Sequence, residues 1–116
     1  MMRRLLLVLL ILALPAASAS AADTASEIDS LLNAVSQSDC VFLRNGKAHD
    51  AQAAAAHLRM KYRRGKKYAA TTEDFIARLA SKSSRSGKPY YMDCAGTGRL
   101  LTADWLSEQL AEIRRH

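Results

Sequence analysis

Residues 40–65, CVFLRNGKAHDAQAAAAHLRMKYRRG, decide how the chain folds. Val41, Phe42 and Leu43 suit a pleated, half-buried backbone, so residues 40–44 are expected as a strand. Asn45-Gly46 is a turn pair, because both residues tolerate positive φ. No second strand is evident straight after it, so the turn is expected to lead into a helix rather than a hairpin. Asp50 is placed as the N-cap of a helix over residues 50–64. Ala51, Ala54, Ala55, Leu58 and Tyr62 form its apolar stripe at helical spacing, and the alanines require a neighbour that approaches closely. His57, Lys61 and Arg64 share a second face at i, i+4 and i+7. Arg63 and Arg64 complement the helix dipole in the last turn, and Gly65 is placed as the residue that ends it.

Working outward, the upstream residues Thr24 and Glu27 have the spacing of a capping box. Ile28, Leu31, Leu32 and Val35 follow as the stripe of an amphipathic helix. Downstream, Phe75, Ile76, Leu79 and Ala80 give the buried face of a helix over residues 72–82, capped by Thr71. The hydroxyl-rich run SSRSGKP is a loop, and PYYMDC over residues 89–94 is a second strand. AGTG is read as a loop. A last helix starts after Thr102, with Leu101 and Leu106 spaced as a hydrophobic staple and Trp105, Leu106, Leu110 and Ile113 on its apolar face.

The N-terminus reads as a leader. Arg3 and Arg4 precede the apolar run LLLVLLILAL, then Pro15 and an Ala/Ser tract. That is the layout of a signal peptide, and the run is too short to span a bilayer. Residues 1–22 are therefore expected to be cleaved after Ala19, Ala21 or Ala22, leaving a single domain over residues 23–116 with no transmembrane segment. Without Arg3 and Arg4 the chain has 15 basic and 11 acidic residues. The charge is uneven: residues 44–88 hold 12 bases against Asp50, Glu73 and Asp74, whereas residues 23–43 hold four acids and no base. A basic block between acidic flanks is the main electrostatic feature.

Two cysteines, Cys40 and Cys94, complete the framework. In an exported small domain an even count favours a disulfide. A metal site made from Cys40, Cys94, His49 and His57 lacks the paired spacing of zinc motifs, and two free buried thiols are the remaining alternative. A disulfide requires the two Cα atoms within about 7 Å. Cys40 opens one strand and Cys94 closes the other, so side-by-side strands must be antiparallel. The expected fold is α+β: four helices packed around a short two-stranded antiparallel ribbon, stapled by Cys40–Cys94.

Several strings now form a pattern. FLRNG, His49, HLRMKY, the Phe-Ile pair of the third helix and SSRSGKPY occur in order. Together they resemble a family of small exported bacterial proteins that carries a domain-of-unknown-function label and includes the YfeK-like proteins. The resemblance spans residues 28–110. It implies a Gram-negative periplasmic location and supplies no activity. It directs attention to Arg44, Asn45, Gly46, His57, Arg59, Lys61, Ser81, Ser84, Ser86, Gly87, Pro89 and Tyr90.

No motif in the chain specifies a reaction or a cofactor. His57 suits acid–base work by its ordinary pKa, and equally suits a half-buried hydrogen-bonding role. His49 is expected as an exposed turn or cap residue. Ser84 and Ser86 are the candidate nucleophiles of a cofactor-free hydrolase with His57, but no G-x-S-x-G elbow accompanies them; a hydroxyl-rich helix exit is the structural alternative, and a softer reading has the hydroxyls of Ser81, Ser83, Ser84 and Ser86 lining a small polar pocket with Arg44 and His57. The favoured reading is a binding or accessory module rather than an enzyme, with a structural envelope protein that has no ligand as a further alternative. Its expected contacts are Arg44, Asn45, His57, Arg59, Lys61, Arg64 and Lys67, and its expected partner is an anionic envelope component or an acidic protein surface. Export argues against nucleic acid, and no metal ligand set is expected.

Overall fold

The computed structural model describes residues 21–116. The leader expected over residues 1–22 lies outside the described residues, save for Ala21 and Ala22, which open the first helix. The elements are α1 (Ala21–Gln37), β1 (Val41–Arg44), β2 (Lys47–His49), α2 (Ala51–Arg64), α3 (Thr72–Asp74, running into a π-helical stretch, Phe75–Ala80), β3 (Tyr91–Cys94), β4 (Gly98–Leu101) and α4 (Thr102–Arg115). A 3-10 turn, Lys66–Tyr68, follows α2.

The fold is α+β, and Cys40 and Cys94 are joined by a disulfide. β1 and β3 are antiparallel neighbours, as the cysteines demand. The sheet has four strands rather than two, in the order β2-β1-β3-β4, so it consists of two hairpins laid side by side. The first hairpin forms at Asn45-Gly46, where φ is 50° and 78°. Two successive positive φ values mark the tight turn whose twist matches a hairpin. Lys47, Ala48 and His49 then pair with β1 despite their weak strand propensity. The second hairpin uses the AGTG loop, with Gly96 and Gly98 at φ 81° and 71°. Here tight turns decided the pairing over side-chain preference.

One face of the sheet is covered by helices and the other is open. Phe42 and Met92 face each other across β1 and β3 and are buried, whereas Val41, Tyr91 and Leu101 are exposed. That alternation is the mark of an antiparallel sheet with one wet face. The core joins Phe42 and Met92 to Ile28, Leu31, Leu32 and Val35 of α1, Leu58 of α2, Phe75 of α3 and Leu106 and Leu110 of α4. α2 packs chiefly on α1, and its buried Ala54 and Ala55 permit that approach.

The caps hold in two places and differ in a third. Asp50 accepts from the Ala53 amide at 2.7 Å and Thr71 from the Asp74 amide at 3.0 Å. Thr24, expected as a cap, instead lies inside α1, with its Oγ1 buried and unpartnered among the described residues. Glu27, half-buried on the same helix, accepts from Thr72 Oγ1 at 2.7 Å and Arg114 Nε at 2.8 Å. Gly65 ends α2 at φ −115°, outside the left-handed region. Its requirement is space: a Cβ there would stand 2.9 Å from Leu79 Cδ2.

Candidate functional site

The sheet register builds the site. Phe42 pairs with Met92 and Leu43 with Tyr91, and Arg44 and Tyr90 follow just beyond this last pair. Side chains two apart share a face. Arg44 and Tyr90 therefore belong to the same helix-covered side as Phe42 and Met92. α2 packs over that side and supplies His57 and Lys61, one turn apart.

These groups meet at the Tyr90 phenol. Lys61 Nζ donates to the Tyr90 hydroxyl oxygen at 3.0 Å and to the Lys82 carbonyl at 2.9 Å. His57 Nε2 lies 3.3 Å from the same hydroxyl. A neutral His57 carrying its proton on Nδ1 accepts from the phenol, which in turn accepts from Lys61. Electrostatics favour that state. Burial, then the charges of Arg44, Lys61 and His49, push His57 down to about 4. Burial and Arg44 push Lys61 down to about 8. Burial raises Tyr90, against the opposing pull of Arg44.

The loop after α3 closes one wall. Asn45 Nδ2 donates to Ser83 Oγ at 3.2 Å, and Ser86 Oγ donates to Asn45 Oδ1 at 2.6 Å. Ser83, which is buried, also accepts from the amides of Arg85 and Ser86, both at 3.3 Å. The Tyr90 amide donates to Ser81 O at 2.9 Å. The hydroxyls of Ser83 and Ser86 thus fasten the loop to the first hairpin.

Between hairpin, α2 and loop lies an open cleft of about 780 Å³. Arg44, Lys47, Lys61, Arg64 and Arg85 line it together with His49 and His57, and no carboxylate among the described residues does. Met60, Gly65, Tyr68 and Leu79 give it an apolar side. A slot of about 30 Å³ adjoins it, sharing Arg44, His49, His57 and Tyr90 and otherwise lined mainly by Phe42, Ala53, Ala54 and Leu58. That is room for a water or a methyl-sized group. His49 Nε2 and Thr102 Oγ1, on two residues of this slot, are buried without a hydrogen-bond partner among the described residues.

Of the residues expected to bind, Arg44, Asn45, His57, Lys61 and Arg64 line the cleft. Arg59 turns the other way, to Asp29 Oδ1 at 2.8 Å and Asn33 Oδ1 at 2.9 Å on α1. Lys67 lies against the Tyr68 ring, 5.0 Å from its centroid. Ser84 lines the cleft, while Ser86 is held by Asn45. His49 is half-buried in β2 rather than an exposed cap. Ser83 and Ser84 line the cleft with Arg44 and His57, as the polar-pocket reading of the serine run expected; Lys47 and Arg85 were not anticipated. Cys40 and Cys94 come near Asp39, but as a disulfide they offer no thiolate.

The class is now defined: a small disulfide-stapled α+β domain with a carboxylate-free basic cleft. The chain belongs to a family of unknown function, DUF5329, whose model matches residues 22–114. It is 43% identical over 84 residues to the uncharacterized protein YfeK of Salmonella typhimurium (strain LT2), an alignment covering 72% of this chain and 70% of that one. No solved structure matches the chain.

Proposed function

We propose that this protein is a binding module of the bacterial envelope whose cleft takes a small anionic ligand, seated against Arg44 and Lys61. The observation that carries this reading is the cleft lining, which among the described residues has five cationic side chains and no carboxylate. Acidic residues elsewhere pair with other bases: Asp29 with Arg59, and Glu27 and Glu73 with Arg114. Lys61 in particular is 9% exposed and its hydrogen-bond acceptors are two neutral oxygens. A desolvated cation beside another cation is unfavourable, and a bound anion removes that penalty. The concave shape suits a small molecule with an anionic group and an apolar part. A disulfide in a small domain fits an exported protein in an oxidising compartment.

A hydrolase using His57 has less support. His57 Nε2 meets the Tyr90 hydroxyl, and neither Ser84 nor Ser86 shares a hydrogen bond with it among the described residues.

Calorimetric titration with inorganic phosphate and with short carboxylates, in wild type and in Arg44→Gln, tests the reading. The expected result is binding that weakens as salt rises and falls about tenfold in the variant. Anions that bind neither protein, or bind both alike, would overturn it.

A further inference from the structure

We propose that the Lys61 amine is a carbonyl-reactive nucleophile, which takes a small 2-oxo acid in the cleft as an imine. The proposal rests on the anion-binding reading above and adds a covalent bond to it.

Such chemistry needs an amine with an appreciable uncharged fraction near neutrality, reachable by the ligand, and close to groups that move protons. Lysines gain this character by desolvation or beside another cation. Lys61 has both. It is almost fully buried, yet it lines the cleft. Arg44 of β1, His57 and Arg64 of α2, Arg85 of the loop, and Lys47 and His49 of β2 line the same cleft, and Tyr90 touches the amine itself. None of these brings a negative charge that would hold the ammonium form. Burial and Arg44 accordingly lower its pKa to about 8.

The remaining parts fit the same ligand. Arg44 provides a fork for the carboxylate. The adjoining slot, with Phe42, Ala54 and Leu58, accepts a short alkyl group. The Tyr90 hydroxyl, 3.0 Å from Lys61 Nζ and 3.3 Å from His57 Nε2, can pass a proton between them. In the reaction the nitrogen lone pair forms a bond to the carbonyl carbon, and the carbonyl π pair moves to oxygen. Oxygen takes up two protons, the number lost by the nitrogen, and leaves as water when the C–O bond breaks. The products are one imine and one water, with no oxidant or reductant consumed.

Reductive trapping tests this. The disulfide-bonded protein is incubated with pyruvate and cyanoborohydride, and the adduct is followed by intact mass and located by peptide mapping. The expected result is one addition, at Lys61, with a rate that rises to half its maximum near pH 8, the value to which Lys61 is lowered. In Arg44→Gln the rate should fall about tenfold. Addition spread over the exposed Lys66, Lys67 and Lys88 at rates matching or exceeding Lys61 would overturn the proposal, and mapping wild type makes this decision independent of any variant's folding. Calorimetry with pyruvate, without reductant, separates the two readings. Heat of binding without trapping removes the imine and leaves the anion cleft standing, whereas neither heat nor trapping removes both.

Discussion

Asn45 and Ser86 stand 41 residues apart in sequence, and the Ser86 hydroxyl donates to the Asn45 side-chain carbonyl at 2.6 Å. One asparagine therefore does two jobs. Its backbone supplies the positive φ of the first hairpin, and its side chain holds the loop that walls the cleft. Asn45→Gly keeps the turn and removes the latch; Asn45→Ala removes both. Asn45→Gly should destabilise by about 1 kcal/mol, as one or two hydrogen bonds are lost, and Asn45→Ala by more. Hydrogen exchange at the amides of Arg85 and Ser86 should accelerate in both. A double-mutant cycle with Ser86→Ala measures the coupling, and additivity would show the latch to carry no energy.

Gly65 tests close packing rather than backbone freedom. Its φ of −115° is open to any residue, but an added methyl would meet Leu79 Cδ2 at 2.9 Å and the Lys61 carbonyl at 3.1 Å. Gly65→Ala should lower stability by about 1–3 kcal/mol, the usual range for overpacking. Leu79→Val in the same chain should recover part of it, as chemical denaturation would report.

The Cys40–Cys94 bridge closes a loop with a sequence separation of 54. In the chain-entropy picture such a loop contributes about 4 kcal/mol. Reduction should lower the denaturant midpoint accordingly, and intact mass should rise by two hydrogens. Equal midpoints for oxidised and reduced protein would show that the bridge adds nothing to stability.

Acid should weaken the ligand-free fold in two steps. His57 is lowered from 6.5 to about 4 in the folded protein, so the unfolded chain binds more protons between those values and stability falls as pH drops through that window. Glu27 is also lowered, chiefly by Arg114; its stabilisation is present above its unfolded value of 4.5 and is lost below it, as pH approaches the folded value. Lys61 acts at the other end: lowered from 10.5 to about 8, it makes stability rise with pH between those values. Melting temperature against pH, compared with His57→Gln, checks the upper acid step. An unchanged slope in the variant would remove His57 as its source. A bound anion should flatten the same step, because it favours the charged histidine.

Arg114 ties three helices together by bonding Glu27 of α1 and Glu73 of α3. The Glu27 side chain is only 20% exposed and also receives the Thr72 hydroxyl. Arg114→Met should destabilise by about 1 kcal/mol, the upper end for a surface pair. High salt should shrink the difference between the two proteins.

Much of the site was legible before the structure, for a definite reason. His57, Lys61 and Arg64 follow helical spacing, and that period fixes one face of α2. Tyr90 was pointed to by the family resemblance alone, although its place two residues before Met92 puts it on the same side of the strand. Lys47 and His49 were hidden because a strand after Asn45-Gly46 needed residues of better propensity than Lys-Ala-His. The turn supplied what those side chains did not. Arg85 escaped because its loop is placed by the hydrogen bonds of Ser83 and Ser86 with Asn45 and has no period to read. Arg59 was misleading in its own way, since charge alone does not say whether a base faces the cleft or an acid on α1.

The bridge also sets the path of mechanical load. Every residue that lines the cleft, from Arg44 to Tyr90, lies between Cys40 and Cys94 along the chain. α1 precedes this covalent ring, and β4 and α4 follow it. Tension applied to the two chain ends runs through α1, crosses at the sulfurs and leaves through β4 and α4. The backbone that carries the cleft is short-circuited. If one end is held and the other is pulled, the outer helices can peel away while the cleft segment bears no direct force.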